Sequence, residues 1–102
     1  MAQSIHEGHR ERMRKEIINN GINEYTPPHK ILEFLLFYCI SRKDTNPIAH
    51  KLIEKFGSLS GVLDADLDAI ASVEGMSERS ALLLKSIVPV AVNDVQPLNI
   101  LE

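Results

Sequence analysis

Apolar residues recur at helical spacing along most of the chain, and the interruptions fall at Gly, Pro and capping residues. From His6 to Asn20, Met13, Ile17 and Ile18 stand among charged residues, which predicts an amphipathic helix of about four turns with these three packed on a core. Gly21 follows Asn19 and Asn20, and both residue types tolerate the left-handed conformation that ends a helix. Thr26-Pro27-Pro28 then reads as a start, with Thr26 as cap and proline in the first turn. The helix that follows is expected to run to about Cys39. Its Ile31, Leu32, Phe34, Leu35, Leu36, Phe37 and Tyr38 are apolar almost all round, the pattern of a buried central helix.

Ser41 to Pro47 breaks the period with turn and capping residues, after which Ile48, Ala49, Leu52, Ile53 and Phe56 resume it. Asp44, Thr45 or Asn46 is expected to cap this helix, with Pro47 at its first position and Gly57 at its end. Ser58 is placed to cap a short connector carrying Leu59, Val62 and Leu63, and Asp64 or Asp66 to open a segment from Leu67 to Ser72. A last helix is expected from about Ser77 to Val88, with Ser77 as cap and Ala81, Leu82, Leu84 and Ile87 as its apolar positions, halted by Pro89. The expectation is an all-α bundle of five to six short helices. It is organised as an amphipathic helix and cap (residues 1–25), two helical hairpins joined by a connector helix (26–90) and an extended tail or linker (91–102).

Composition fits that reading. The chain has 102 residues, 44% of them hydrophobic, and aromatics make up 5% with no Trp, so Leu, Ile, Val and Ala must fill one modest core. The single Cys39 excludes an internal disulfide and reads as a buried structural thiol. With no signal segment or long apolar span, the expected setting is the reducing cytoplasm, away from membranes.

The pair Leu67 to Ser72 and Ser77 to Val88, joined by Gly75-Met76-Ser77, has the form of a helix-hairpin-helix. Such motifs usually show Gly, a hydrophobic residue and Gly in that turn; here Ser77 replaces the second Gly. Backbone N–H groups at the start of a helix can face a phosphate without a strongly basic side chain. Four further blocks occur in order: Gly8-His9-Arg10-Glu11-Arg12, the Leu-rich Leu32 to Tyr38, Arg42 to Ala49, and Phe56-Gly57-Ser58-Leu59-Ser60-Gly61-Val62-Leu63. Together they resemble the N-terminal domain of the RadC family, historically labelled DNA repair proteins. That resemblance spans roughly residues 6–90 and implies a doubled helix-hairpin-helix. In the family a metalloprotease-like JAB/MPN domain with a His-x-His zinc signature follows. The present sequence carries no such signature, so it reads as an isolated N-terminal domain to which no zinc chemistry transfers.

Charge locates the candidate contacts. The net charge is −3, but Lys and Arg outnumber acids nine to seven through Phe56, whereas only Arg79 and Lys85 face seven acids beyond it. Attraction to phosphate is therefore centred on the first half. Arg42 and Lys43 lie in the first hairpin beside a helix start. Arg10 and Arg14, four apart on one helix, form either a basic strip or ordinary solvated pairs with the intervening acids. In the second hairpin, Gly75 and Ser77 offer N–H groups with Arg79 and Lys85 assisting, against the opposing field of Asp64, Asp66, Asp68, Glu74 and Glu78. His6 and His9 share a face, but two ligands do not make a zinc site, and they read as solvated.

No nucleophile, base and orienting group occur as a set, and neither catalysis, a metal nor a cofactor is expected. The expected partner is DNA, held weakly through its backbone. The alternative is a protein-interaction or regulatory domain that docks on its own C-terminal domain or self-associates.

Overall fold

The structure, a computed structural model, describes residues 5–93. Six helices and no strand occur among them: α1 (Ile5–Asn20), α2 (Pro28–Leu36), α3 (Thr45–Phe56), α4 (Leu59–Asp64), α5 (Leu67–Ala71) and α6 (Glu78–Asn93). The fold is all-α. None of these helices is long and apolar enough to cross a membrane.

Local chemistry sets most boundaries. Gly21 (φ 75°) and Gly57 (φ 89°) take the left-handed conformation at the ends of α1 and α3, each donating its N–H to the carbonyl four residues back at 2.7 Å. The Asp44 carboxylate accepts the Asn46 N–H at 3.0 Å at the start of α3, and the Ser58 hydroxyl accepts from Gly61 N–H at 3.0 Å at the start of α4. Because Thr45 is already helical, Pro47 sits third in α3, still within the turn whose N–H groups lack helical partners.

Three boundaries differ from the sequence expectation. Thr26 does not cap α2: its hydroxyl accepts the Asn23 N–H at 3.0 Å within the preceding turn, and Pro27 holds the cap position. Helix α2 stops at Leu36, and Phe37–Cys39 tighten into i→i−3 turns, with Tyr38 N–H on Leu35 O at 3.3 Å and Cys39 N–H on Leu36 O at 3.2 Å. Pro89 does not halt α6, which continues to Asn93. A proline costs a helix one hydrogen bond, but the carbonyl it frees belongs to Lys85, which is half-buried and not in the core, and Val88, Pro89 and Val90 are exposed, so the ring meets no packed neighbour. The expected tail at 91–102 thus begins as helix over 91–93, and its remainder lies outside the described residues.

One core joins the two helical pairs α2/α3 and α5/α6. Leu32 and Leu36 of α2, Ala49 and Leu52 of α3, Val62 of α4, Ile70 of α5, and Ala81 and Leu84 of α6 are all fully buried in it. Burying each of the larger side chains contributes about 1.5–3 kcal/mol relative to exposure, so a short α5 or α4 is held by packing and not by its own helicity. Ala81, with no bulk beyond Cβ, lets α6 approach closely. Met13 of α1 is also buried, but Ile18 is 79% and Leu82 59% exposed. Leu82 sits next in sequence to the buried Ala81 and Ile18 next to the half-buried Ile17, and one step along a helix turns a side chain by about 100°.

Candidate nucleic-acid interface

The turn between α2 and α3 is built by a residue from elsewhere. Arg10 of α1 is 7% exposed. Its Nη2 donates to Ile40 O and Lys43 O, both at 2.7 Å, and its Nη1 to Phe37 O at 3.4 Å. The guanidinium also lies 5.0 Å from the Phe37 ring centroid. Carbonyls of a non-helical segment have no ladder to join, and a charged fork that satisfies three of them fixes the path of the turn. With those carbonyls drawn inward, Ser41, Arg42, Lys43 and Asp44 are exposed, and Arg42 takes a left-handed φ of 66°.

This removes Arg10 from the expected basic strip. Its donors are committed to the fold, and Arg14 donates to the Glu7 carboxylate at 3.3 Å, as a solvated helix pair would. Lys15 and Glu11 pair similarly at 3.6 Å.

A second tie runs beside the first. Glu33 of α2 is 2% exposed, with Oε2 at 2.8 Å from His9 Nε2 and Oε1 accepting from Asn46 Nδ2 at 3.2 Å. The Thr45 hydroxyl donates to Glu33 O at 3.2 Å. The carboxylate thus joins α1, α2 and the start of α3, and His9 is bound, not merely solvated. Sequence reasoning passed over Glu33; the available signal was a lone acid inside the apolar run from Ile31 to Tyr38.

The turn before α6 is built locally. Gly75 has φ 94°, and a Cβ there would lie 2.7 Å from both Cγ1 and Cδ1 of Ile48, so any side chain would meet a strained backbone and force the Ile48 side chain to shift. Met76 N–H donates to Val73 O at 2.9 Å. Ser77 and Ser80 cap reciprocally: Ser80 N–H reaches Ser77 Oγ at 3.3 Å and Ser77 N–H reaches Ser80 Oγ at 2.9 Å. The Ser77 N–H expected to face phosphate is therefore already used. Lys85 is likewise committed, its Nζ donating to Leu63 O at 3.2 Å at the end of α4. Glu74 is paired with Lys51 of α3 at 2.7 Å, and that hydrogen bond and charge hold its carboxyl below the usual glutamate range.

Arg79 has a different setting. It lines an open cleft of about 290 Å³ whose other walls are Phe37, Tyr38, Cys39, Ile40 and Ser41 of the first turn. Burial pushes the Cys39 thiol up, and the nearby Arg79 charge opposes that shift. The structure thus brings Arg79 to the stretch leading into Arg42 and Lys43, and places Arg10, Arg14 and Lys85 in other roles. Arg42, Lys43 and Arg79 are exposed, and their side chains enter no ion pair or hydrogen bond among the described residues. No three His, Cys, Asp or Glu side chains among those residues converge as metal ligands.

No family model matches this chain, and no solved structure does. Among curated proteins, a UPF0758 protein of Fusobacterium nucleatum subsp. nucleatum is 45% identical over 85 residues. The match takes in 83% of this chain but 36% of that protein, so the chain spans little more than a third of the relative's length.

Proposed function

We propose that residues 26–90 form a doubled helix-hairpin-helix unit of a RadC-like DNA repair protein, and that the unit is a non-catalytic module holding DNA weakly through its backbone. The observation that carries this reading is a set of three unpaired, exposed cations: Arg42 and Lys43 on the first turn, and Arg79, which lines a cleft with Phe37–Ser41, the segment just before them. Similarity to a UPF0758 protein supports the RadC-like assignment, UPF0758 being the RadC-like family. Contacts confined to phosphates position a protein without reading sequence, and three cations on a chain of net charge −3 give modest affinity.

The test is a low-salt titration of branched, duplex and single-stranded DNA with the chain and its Arg42→Ala/Lys43→Ala and Arg79→Ala variants. Binding that the substitutions weaken alike on every sequence supports the reading; no binding to any DNA refutes it.

A protein-docking reading has its own observation. Leu82, Val88, Val90 and Val92 of α6 are between 43% and 70% exposed, apolar surface that a docked partner would cover. Self-association with no effect of DNA, measured by sedimentation, would favour it.

A further inference from the structure

Tyr38 is 65% exposed in a chain with few aromatic residues, and it lies on the wall of the Arg79 cleft. Its ring is held edge-on to Phe34, with centroids 5.4 Å apart and planes at 86°, and its N–H is fixed on Leu35 O. The ring is thus placed from below and open to solvent above. Around it the cleft combines the apolar surfaces of Phe37, Cys39 and Ile40 with the Ser41 hydroxyl and the unpaired Arg79. The other exposed tyrosine has no such company. Tyr25 lines a hollow whose only cation, Lys30, is already bound to Glu16 at 2.9 Å.

An exposed, anchored aromatic ring beside an unpaired guanidinium is the combination that single-stranded nucleic acid uses: the base stacks, the phosphate meets the charge, and sequence matters little because every base has a π-face. Bases inside a duplex cannot use it, because both faces are covered by neighbours. We infer that this cleft takes one unpaired nucleotide, its base on Tyr38 and its phosphate at Arg79, so that the domain prefers DNA with single-stranded nucleotides over intact duplex. The inference rests on the DNA-backbone reading above and adds the substrate class.

The experiment is a fluorescence-polarisation titration of the chain with labelled oligothymidine, a blunt duplex, and the same duplex bearing a single-stranded tail, all at one salt concentration. The expected result is tighter binding of oligothymidine and the tailed duplex than of the blunt duplex. Tyr38→Ala should weaken the first two about tenfold and leave the blunt duplex unchanged, Tyr38→Phe should retain binding, and Arg79→Ala should weaken all three. A readout independent of the alanine variant's folding is tyrosine emission from the Tyr25→Phe protein, in which Tyr38 is the sole tyrosine; oligothymidine should quench it. Unquenched emission, or equal wild-type affinity for tailed and blunt duplexes, overturns the inference. Binding of oligothymidine and the tailed duplex that depends on Arg42 and Lys43 but ignores Tyr38 overturns it while leaving the backbone reading standing. Binding of none of the three DNAs overturns both.

Discussion

The turns from α2 to α3 and from α5 to α6 each join two helices of a pair, yet they are made by opposite means. The first is held from a distance. Arg10, some thirty residues upstream, gathers the carbonyls of Phe37, Ile40 and Lys43, and the cations of the turn face outward as a consequence. The second is held from within, by Gly75 fitted against Ile48 and by the Ser77–Ser80 box, and its carboxylate at Glu74 is matched by Lys51. A turn supported by a remote side chain can leave its own side chains for a ligand. A turn that supports itself uses the groups it would have offered. The first turn is therefore the main contacting element in the proposed function and the second turn its scaffold, with Arg79 of α6 the one cation that the second pair adds at the first turn's cleft.

The comparison breaks most readily at Arg10. Arg10→Met keeps the apolar stem but orphans three carbonyls, and it should lower unfolding free energy by about 3–4 kcal/mol in urea titrations. Arg10→Lys should recover less than half of that, because an ammonium lacks the planar fork. DNA binding should fall with the loss of the turn's geometry although Arg10 touches no phosphate. Gly75→Ala comes next, at about 2–3 kcal/mol, from the left-handed φ together with the clash on Ile48. Its DNA affinity, measured on the folded fraction, should change little.

Ser77→Ala should cost about 1 kcal/mol, the usual value of a helix cap, with no change in DNA affinity. Lys51→Met should have the smallest effect on stability, and that effect should depend on pH. Glu74 has its folded pKa depressed by Lys51, so its contribution is complete above the usual glutamate range and is lost as pH falls through the lower folded value. Thermal melts of wild type and Lys51→Met should therefore converge in acid.

How much of this was legible in the sequence follows the reach of each interaction. Caps and C-terminal glycines act over two to four residues, and Gly21, Gly57, Asp44 and Ser58 behave as their types suggest. The all-α class was readable for the same reason, since periodicity is local. The roles of Arg10, His9 and Lys85 were not, because their partners lie 22 to 33 residues away and only the packed fold brings them together. Pro89 was misjudged because its cost depends on whether its ring meets packed neighbours, a property of the folded surface. Of the candidate site, Arg42 and Lys43 were visible as a basic pair in a turn. That Arg79 shares a cleft with the segment preceding them came only from the folded chain, which brings the start of α6 to the first turn.

The division of labour between the turns is tested most directly by the salt dependence of DNA binding. Each neutralised phosphate contributes about −0.9 to the slope of log affinity against log salt on duplex DNA. Contact through Arg42, Lys43 and Arg79 predicts a wild-type slope of about −2.7, falling to about −0.9 in Arg42→Ala/Lys43→Ala and unchanged in Lys85→Met. A slope that the double substitution leaves intact, or that Lys85→Met reduces, would contradict the assignment of the first turn as the contact and the second as its support.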